Sequence, residues 1–265
     1  GGSSGGWSSD LKLMKVYGIQ FSPEWESKAK NFQRINKLLE TASILSKSLI
    51  VLPETFSTGF SLDTQITAQG EPLLTLSFMS QLARKYQSWI VGGMIVQQDE
   101  KFYNRLIQVS PSGDFNGHYD KIHLIPDLGE DQSHAPGKDL NILQIGEFKI
   151  CPIICYDLRF PELFRKGIQM GANLFVVIAC WPKIRIHHWK ILLQARAIEN
   201  QSYVLGVNRT GEEPNNKYSG NSLIIGPKGE IISEMKEEEG IMDAKLQFSE
   251  ISKWRNEFPV LRNLQ

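Results

Sequence analysis

The feature that most constrains the fold is an order of elements that occurs twice along the chain. An apolar strand, an amphipathic helix and further apolar strands come first, and a hairpin follows; the same order returns in the second half. Strands that alternate with helices favour parallel pairing, whereas hairpins add antiparallel strands, so each half predicts a mixed sheet. Both sheet faces are apolar and must be covered. Two stacked sheets with helices outside predict one α/β domain, residues 11–265, a four-layer α-β-β-α sandwich.

The predicted elements follow from apolar periodicity and from turn residues. In the first half they are strands at 13–21, 48–53 and 89–96, helices at 22–45 (capped by Ser22) and 73–86, and a hairpin at 103–123. In the second half they are an ordered loop at 124–139, strands at 148–156, 172–179 and 203–209, helices at 161–170, 186–200 and 249–258, and a hairpin that turns at 226–229.

Composition and charge argue against several classes of protein. Lys plus Arg equals Asp plus Glu, at 29 each in 265 residues, so no net field favours nucleic acid or an anionic membrane. No apolar run approaches the roughly 20 residues that span a bilayer. The three cysteines lack the spacing of a disulfide framework or a zinc site, so we expect a reducing, cytoplasmic compartment. Residues 1–10, GGSSGGWSSD, do not resemble a signal peptide and are interpreted as a leader outside the fold.

Three predicted strands end in residues that can carry out chemistry. LIVLPE ends at Glu54, CPIICYD reaches Cys155, and VVIACWP reaches Cys180 and Trp181. In open α/β sheets the carboxyl ends of the strands border the ligand crevice. Lys121 lies near the end of a hairpin strand. A carboxylate, an ammonium and a thiol could therefore meet in one pocket, and Cys180 could line that pocket or simply pack.

Such a trio has a direct chemical use. A cysteine with its usual pKa of about 8.5 is mostly protonated at neutral pH. A carboxylate can take the proton, a lysine can stabilise the developing charge, and the turn from Tyr156 onward offers backbone N–H groups. Ordinary roles remain open for the same residues: Cys155 could belong to the core, Glu54 to a cap and Lys121 to a solvated strand end. Cys151 is interpreted as core.

LPETF, YDKIHL and CYDLRFPE, in this order, resemble the three signature segments of the carbon–nitrogen hydrolase, or nitrilase, superfamily. The resemblance extends from LMKVYGIQF to KWRNEFP. It implies that Glu54 is the general base, Lys121 the catalytic lysine and Cys155 the nucleophile that forms a thioester. Lys121 and the N–H of Tyr156 would hold the oxyanion. Glu130, in DLGEDQSHAPG, lies where the family has a second glutamate. The resemblance implies the α-β-β-α fold and requires neither a metal nor an organic cofactor.

The segments CYDLRFPELFR, ACWPKIRIHHW and ARAIENQSYVLGVNRTG look most like the ω-amidase branch, which hydrolyses short 2-oxo dicarboxylic monoamides such as 2-oxoglutaramate. This resemblance predicts that Trp181 forms a wall of the substrate pocket. A basic group must meet the distal carboxylate of such an amide, and Arg185, Arg209 and Lys183 remain open for that role. The nearest alternative is an amidase for deaminated glutathione. An alternative from another class is a non-catalytic interaction module with the same fold.

The remaining polar residues near these motifs are interpreted as structural. Asp157 and Arg159 are expected to pair and brace the turn after the nucleophile. Arg196 and Glu199, three apart on a helix, predict a local ion pair. No strand is followed by G-x-G-x-x-G or a P-loop, so a nucleotide-binding protein is disfavoured. The resemblance also implies that the protein forms a homodimer and that it binds a small-molecule amide as its substrate.

Overall fold

Two six-stranded sheets form the centre of the protein in a computed structural model, which describes residues 11–264. The leader interpreted at residues 1–10 lies outside the described residues. The strands are β1 (Leu13–Gln20), β2 (Leu49–Val51), β3 (Trp89–Gln98), β4 (Lys101–Val109), β5 (Phe115–Asp120), β6 (Leu143–Ile145), β7 (Phe148–Ile154), β8 (Leu174–Ala179), β9 (Tyr203–Asn208), β10 (Thr210–Glu213), β11 (Asn216–Ser219), β12 (Leu223–Ile225), β13 (Ile231–Glu234) and β14 (Gly240–Gln247).

The two sheets repeat one arrangement. The first has the order β14-β1-β2-β3-β4-β5 and the second β13-β12-β9-β8-β7-β6. In each, three central strands are parallel, β1-β2-β3 in one and β7-β8-β9 in the other. The strands beside them are antiparallel. The duplicated mixed sheet predicted from element order is therefore present. The hairpin predicted at 226–229 joins β12 to β13, but β14 then crosses to the first sheet and pairs with β1.

Helices cover the outer face of each sheet, with α1 and α3 on the first and α5 and α6 on the second. The helices are α1 (Lys28–Glu40), α2 (Thr64–Thr67), α3 (Leu73–Tyr86), α4 (Glu130–Ser133), α5 (Pro161–Gln169), α6 (Ile186–Asn200) and α7 (Phe248–Glu257). In residues 11–264, none of these helices has the length and apolar character that a bilayer crossing needs. The short elements α2, α4, β6, β10 and β11 and the long strand β14 are additions to the predicted set.

Strand β1 explains how four layers arise. Tyr17 and Ile19 pack in the buried cluster that includes α1 and α3, whereas Met14 and Val16 pack in the cluster that includes the second sheet. Successive side chains of a strand point to opposite faces, so a continuously apolar strand is buried on both sides. The protein is therefore an α-β-β-α sandwich, as predicted.

The first helix begins later than its sequence pattern predicts. The pattern predicts a cap at Ser22, but the residue before α1 is Ser27. The Asn31 side chain accepts the N–H of Glu24 at 2.7 Å and donates to the Glu24 carbonyl oxygen at 2.9 Å, which holds this segment in a turn. Glu26 has a left-handed φ of 55° and interrupts any helical path from residue 22. The helix also ends at residue 40, before the predicted residue 45.

Candidate active site

Glu54 lies just beyond the carboxyl end of β2 and is fully buried. Its oxygen Oε1 accepts hydrogen bonds from Lys121 Nζ at 3.1 Å and from Asn104 Nδ2 at 2.8 Å. Its other oxygen, Oε2, accepts the backbone N–H of Cys180 at 2.8 Å. Donors from β4, from the end of β5 and from the second sheet therefore orient one carboxylate.

Lys121 follows β5 and is fully buried. Its Nζ lies 2.9 Å from Glu130 and 3.1 Å from Glu54. Burial lowers the pKa of this lysine, but the charges of Glu130 and Glu54 outweigh burial and raise the pKa well above its usual value. Lys121 is therefore an ammonium ion at neutral pH.

Glu130 joins this cluster from a different part of the chain. It is the first residue of α4 and is buried. Its carboxylate accepts hydrogen bonds from Lys121 Nζ at 2.9 Å, from the N–H of Ile125 at 2.9 Å and from Asn104 Nδ2 at 3.2 Å. The Asn104 amide thus bridges two carboxylates that share one ammonium.

Cys155 occupies the turn at which β7 ends. The predicted strand extends to residue 156, but β7 stops at Ile154, and residues 155–159 form a 3-10 turn. The φ of Cys155 is +46°, a left-handed conformation that costs on the order of 1–3 kcal/mol for a residue with a side chain. Its Sγ lies 3.7 Å from the carbonyl oxygen of Cys180, which follows the neighbouring strand β8. The surrounding fold therefore holds this thiol in a strained position.

The thiol of Cys155 is protonated in this environment. Burial raises its pKa, the charge of Glu54 raises it further, and the opposing effect of Lys121 is smaller, so the pKa lies well above its usual value. A protonated thiol is a poor nucleophile and needs a base. Glu54, with its carboxylate oriented by three donors, is a chemically suitable base.

A cleft of about 340 Å³, including its opening to solvent, reaches Lys121 and Cys155, whereas Glu54 and Glu130 stay buried behind it. Lys121, Cys155, Tyr156 and Trp181 line it. Cys180, for which the sequence leaves packing and pocket lining open, also lines the cleft. The candidate substrate-binding residues and the candidate nucleophile therefore face the same space.

Trp181 is held through both its backbone and its ring. Its N–H donates to Asn208 Oδ1 at 2.8 Å, and Asn208 Nδ2 donates to the Trp181 carbonyl oxygen at 3.1 Å. Its indole Nε1 donates to the carbonyl oxygen of Arg185 at 2.9 Å. One wall of the cleft is therefore a flat ring in a fixed orientation.

The expected pair between Asp157 and Arg159 is wrong. The 3-10 turn directs the Asp157 carboxylate to the Tyr119 hydroxyl at 2.5 Å and to His123 Nδ1 at 2.8 Å. The guanidinium of Arg159 instead lies 4.7 Å from the centre of the Trp181 ring and lines the cleft. A residue that the sequence suggested as a brace is therefore part of the cleft wall.

The three basic residues considered for binding a distal carboxylate differ in the contacts that they make. Arg209 is buried in an ion pair with Glu213, and Lys183 pairs with Glu237 at 3.4 Å. Neither lines the cleft, whereas Arg185 does. The structure therefore leaves Arg185 as the one of these three that can meet a ligand there.

Arg185 and Arg159 both line the cleft, and within residues 11–264 neither guanidinium has a carboxylate within 4.0 Å. Burial lowers the pKa of Arg159, and the charge of Arg185 lowers it further. Two like charges next to one small space favour an anion between them, because guanidinium groups bind carboxylates through paired hydrogen bonds.

Other expectations are resolved outside the cleft. Cys151 is buried in the core, as interpreted. Arg196 pairs with Glu199 at 3.4 Å, which confirms the local ion pair, and its Nη2 also donates to the carbonyl oxygen of Leu158 at 2.9 Å. Over the described range, 11–264, no group of three or more His, Cys, Asp and Glu side chains is arranged to hold a metal ion. That no metal or cofactor is needed stays a prediction.

Two residues of the site carry no signal in the sequence. Asn104 lies within β4, where its neighbours read as an ordinary strand, and Asn208 is the last residue of β9. Both act through side-chain amides that reach other strands. Only the pairing of distant segments shows that they belong to the site.

The model of the carbon–nitrogen hydrolase family matches residues 16–256. This chain belongs to that family. Family membership agrees with the fold, with the Lys121 and Cys155 side chains that line the cleft, and with the buried Glu54 carboxylate that contacts Lys121. The protein is thus a hydrolase that acts on carbon–nitrogen bonds other than peptide bonds.

Relatives within the family include amidases. A 2-oxoglutaramate amidase of Bacillus subtilis (strain 168) is 33% identical over 249 residues, which are 93% of this chain and 96% of the relative. The omega-amidase YafV of Escherichia coli (strain K12) is 33% identical over 248 residues, 93% of this chain and 94% of the relative. The crystal structure of Saccharomyces cerevisiae Nit3, a member of the nitrilase superfamily, has a TM-score of 0.86 at 27% identity and covers 97% of this chain and 99% of its own.

Proposed function

We propose that this protein is an ω-amidase that hydrolyses the terminal amide of short 2-oxo dicarboxylic monoamides such as 2-oxoglutaramate. The observation that carries the proposal is the pair of guanidinium groups, Arg159 and Arg185, beside the thiol in one small cleft. Such a substrate has an amide at one end and a carboxylate at the other. The names of the bacterial relatives support the same substrate class.

The reaction begins at the thiol. Glu54 takes the proton from Cys155 Sγ as the sulfur attacks the amide carbon, because the thiol is otherwise protonated. The carbonyl oxygen becomes an oxyanion, which Lys121 Nζ and the N–H of Tyr156 hold. The carbon–nitrogen bond breaks, and the proton on Glu54 leaves with the nitrogen as ammonia.

The second half of the reaction removes the acyl group. Cys155 carries it as a thioester after ammonia has left. Glu54 takes a proton from a water molecule, which attacks the thioester carbon, while Glu130 helps to orient that water through the shared cluster. The carbon–sulfur bond breaks, the sulfur recovers its proton from Glu54, and the dicarboxylic acid is released.

The distal carboxylate is held by Arg159 and Arg185. Loss of a hydrogen bond to a charged group costs on the order of 1.5–3 kcal/mol, so Arg185→Gln should raise the KM for 2-oxoglutaramate about 10- to 100-fold. The KM for a neutral amide such as propionamide should not change. Lys183→Gln is the matched control, since Lys183 is a nearby base that pairs with Glu237 and does not line the cleft. Equal effects of Arg185→Gln on charged and neutral amides would contradict this assignment.

The substrate itself is tested by comparing two amides. Hydrolysis of 2-oxoglutaramate yields 2-oxoglutarate and ammonia, whereas hydrolysis of deaminated glutathione yields 2-oxoglutarate and a dipeptide. We expect a higher kcat/KM for the former, because the cleft is small. Cys155→Ala should abolish turnover and leave the fold intact, whereas Cys151→Ala should retain turnover. A wild-type protein that forms no thioester with either amide would favour the non-catalytic module.

Homodimer formation is part of the same proposal. Ile191 and Ile198 lie seven residues apart on α6, and Ile184 lies in the turn before it; all three side chains are largely exposed. A stripe of exposed apolar side chains on one helix face suits burial against a second copy. We expect sedimentation to give the mass of a dimer, and Ile191→Asp should weaken dimerisation. A wild-type monomer at micromolar concentration would contradict dimerisation. The cytoplasmic location stays a prediction.

A further inference from the structure

Asp157 is a fully buried carboxylate that contacts both halves of the active site. Its Oδ2 accepts hydrogen bonds from the hydroxyl of Tyr119 at 2.5 Å and from the N–H of Ile154 at 3.2 Å. Its Oδ1 accepts the backbone N–H of His123 at 2.9 Å and lies 2.8 Å from His123 Nδ1. Both oxygens are therefore occupied by donors from more than one segment.

These partners come from the two sheets. Tyr119 lies on β5 in the first sheet, and His123 follows it; Lys121 stands between them in the chain. Ile154 is the last residue of β7 in the second sheet and immediately precedes Cys155. The Asp157 carboxylate thus joins the segment that carries the ammonium to the turn that carries the thiol.

We infer that Asp157 is a positioning residue that sets the placement of Cys155 relative to Lys121 across the two sheets. The inference deepens the proposed function, on which it rests. Hydrogen bonds to a carboxylate are stronger than those between neutral groups, so these contacts can hold Cys155 in its left-handed conformation. A local brace would need only the bond to Ile154, whereas the bonds to Tyr119 and His123 reach the opposite sheet.

Two further contacts support this role. The His123 ring stacks on Phe160, with ring centres 3.7 Å apart and planes inclined by 6°, so the plane of the imidazole is fixed and its Nδ1 edge faces Asp157. Burial raises the pKa of Tyr119, and the charge of Asp157 raises it further, so the hydroxyl remains a donor. Among the described residues, the lining of the cleft does not include Asp157, so it acts through Cys155 and Lys121 rather than on substrate.

The kinetic test uses two variants that remove different amounts of this contact. Asp157→Asn keeps the shape but replaces one accepting oxygen with a donor, and Tyr119→Phe removes a single hydroxyl. Small misplacements of reacting groups cost up to about 100-fold in rate. We therefore expect kcat to fall about 100-fold in Asp157→Asn and about 10-fold in Tyr119→Phe, with KM within about 2-fold of wild type. Asp243→Asn, in an ion pair with Lys15 on the far edge strand, should keep wild-type kcat.

A second measurement does not depend on the identity of the substrate. The rate of alkylation of Cys155 by iodoacetamide, followed against pH by mass spectrometry, reports the charges that face this thiol. The titratable groups that face it are Glu54, Lys121, Glu130 and the buried thiol of Cys180. Since Lys121 opposes the rise in pKa of the thiol, its displacement should move the alkylation profile to higher pH in both variants.

The outcomes separate this inference from the proposed function. A wild-type protein that does not hydrolyse 2-oxoglutaramate overturns the substrate assignment, and the alkylation profile still tests the positioning role. If Asp157→Asn does not fold, Tyr119→Phe decides alone. An alkylation profile and a kcat that both match wild type in Tyr119→Phe would overturn the inference, as would a rise in KM at unchanged kcat. A fall in kcat together with a shifted alkylation profile supports it.

Discussion

Replacement of Lys121 by methionine should destabilise the protein strongly and make its stability depend on pH. The lysine is fully buried, 3.1 Å from Glu54 and 2.9 Å from Glu130. Methionine has a similar length and no charge. The substitution leaves two carboxylates buried side by side, with the Asn104 amide as the donor they share.

The magnitude follows from the cost of an unpaired buried charge. Breaking a buried ion pair by removing one partner costs about 3–5 kcal/mol, which in a chain of this size lowers Tm by roughly 10 °C. We expect the folded variant to bind one more proton than the unfolded chain at mildly acidic pH. When the folded state binds more protons, the free energy of unfolding falls as pH rises, so Lys121→Met should lose stability from pH 5 to pH 8.

In the wild type, the stabilisation that Lys121 contributes is lost only at high pH, outside the range in which the variant loses stability. A base whose pKa is raised on folding contributes its full stabilisation below the ordinary lysine pKa of about 10.4 and loses it only as pH rises through the raised value. The wild-type protein should therefore show no loss from Lys121 between pH 5 and pH 8. A fall in the free energy of unfolding between pH 5 and pH 8 is therefore expected for Lys121→Met and not from Lys121 in the wild type.

Urea unfolding, followed by tryptophan fluorescence at several pH values, measures both quantities. The matched control is Lys85→Met, because Lys85 forms an exposed ion pair with Glu40 at 3.5 Å and should change stability by at most about 1 kcal/mol. The contradicting result is a free energy of unfolding for Lys121→Met that lies within about 1 kcal/mol of the wild-type value and has the same pH dependence. That result would mean that Lys121 does not offset the cost of burying Glu54 and Glu130, and the reasoning about this cluster would be wrong.

Two other substitutions test single contacts of the site. Asn104→Leu keeps the side-chain size but removes the amide that donates to both glutamates, so kcat should fall about 10-fold, as measured by ammonia release. Gly93→Ala places a methyl group 2.9 Å from Ile178 Cδ1 and 3.0 Å from the backbone nitrogen of Thr55, next to Glu54. We expect a loss of about 1–3 kcal/mol in urea unfolding together with a lower kcat; wild-type values for either would contradict the close packing behind the glutamate.

Much of the site can be predicted because strand ends are visible in a sequence. Glu54, Cys155 and Cys180 each follow an apolar run, and β2, β7 and β8 are central strands of the two sheets. The rule that ligands bind at the carboxyl ends of parallel strands then brings these residues to one edge. The element order also predicts the two mixed sheets, because strands that alternate with helices pair in parallel and hairpins add antiparallel strands. The apolar character of the strands predicts that both faces of each sheet are covered.

The rest depends on contacts that no local pattern contains. The Asn104 side chain reaches Glu130 and Glu54, which are 26 and 50 residues away, and the Asp157 side chain reaches Tyr119, 38 residues away. The pair expected between Asp157 and Arg159 rests on their closeness in the chain. The 3-10 turn separates the two side chains and sends one inward and the other to the cleft. Nearness in sequence is a poor guide at a turn, because each residue there changes the direction of the next side chain.

Under the proposed function, the distribution of charge around the cleft gives a physical reason for the direction in which a monoamide would bind. The buried cluster of Glu54, Glu130 and Lys121 carries one formal negative charge in excess, whereas Arg159 and Arg185 carry two positive charges. The carboxylate end of a monoamide is drawn to the guanidinium groups and repelled by the cluster, so the neutral amide end must meet the thiol. Hydrolysis then converts that neutral amide into a second carboxylate beside the same excess negative charge. The repulsion that would orient the proposed substrate would therefore also favour release of its dicarboxylate product, because like charges close together in a buried site destabilise each other.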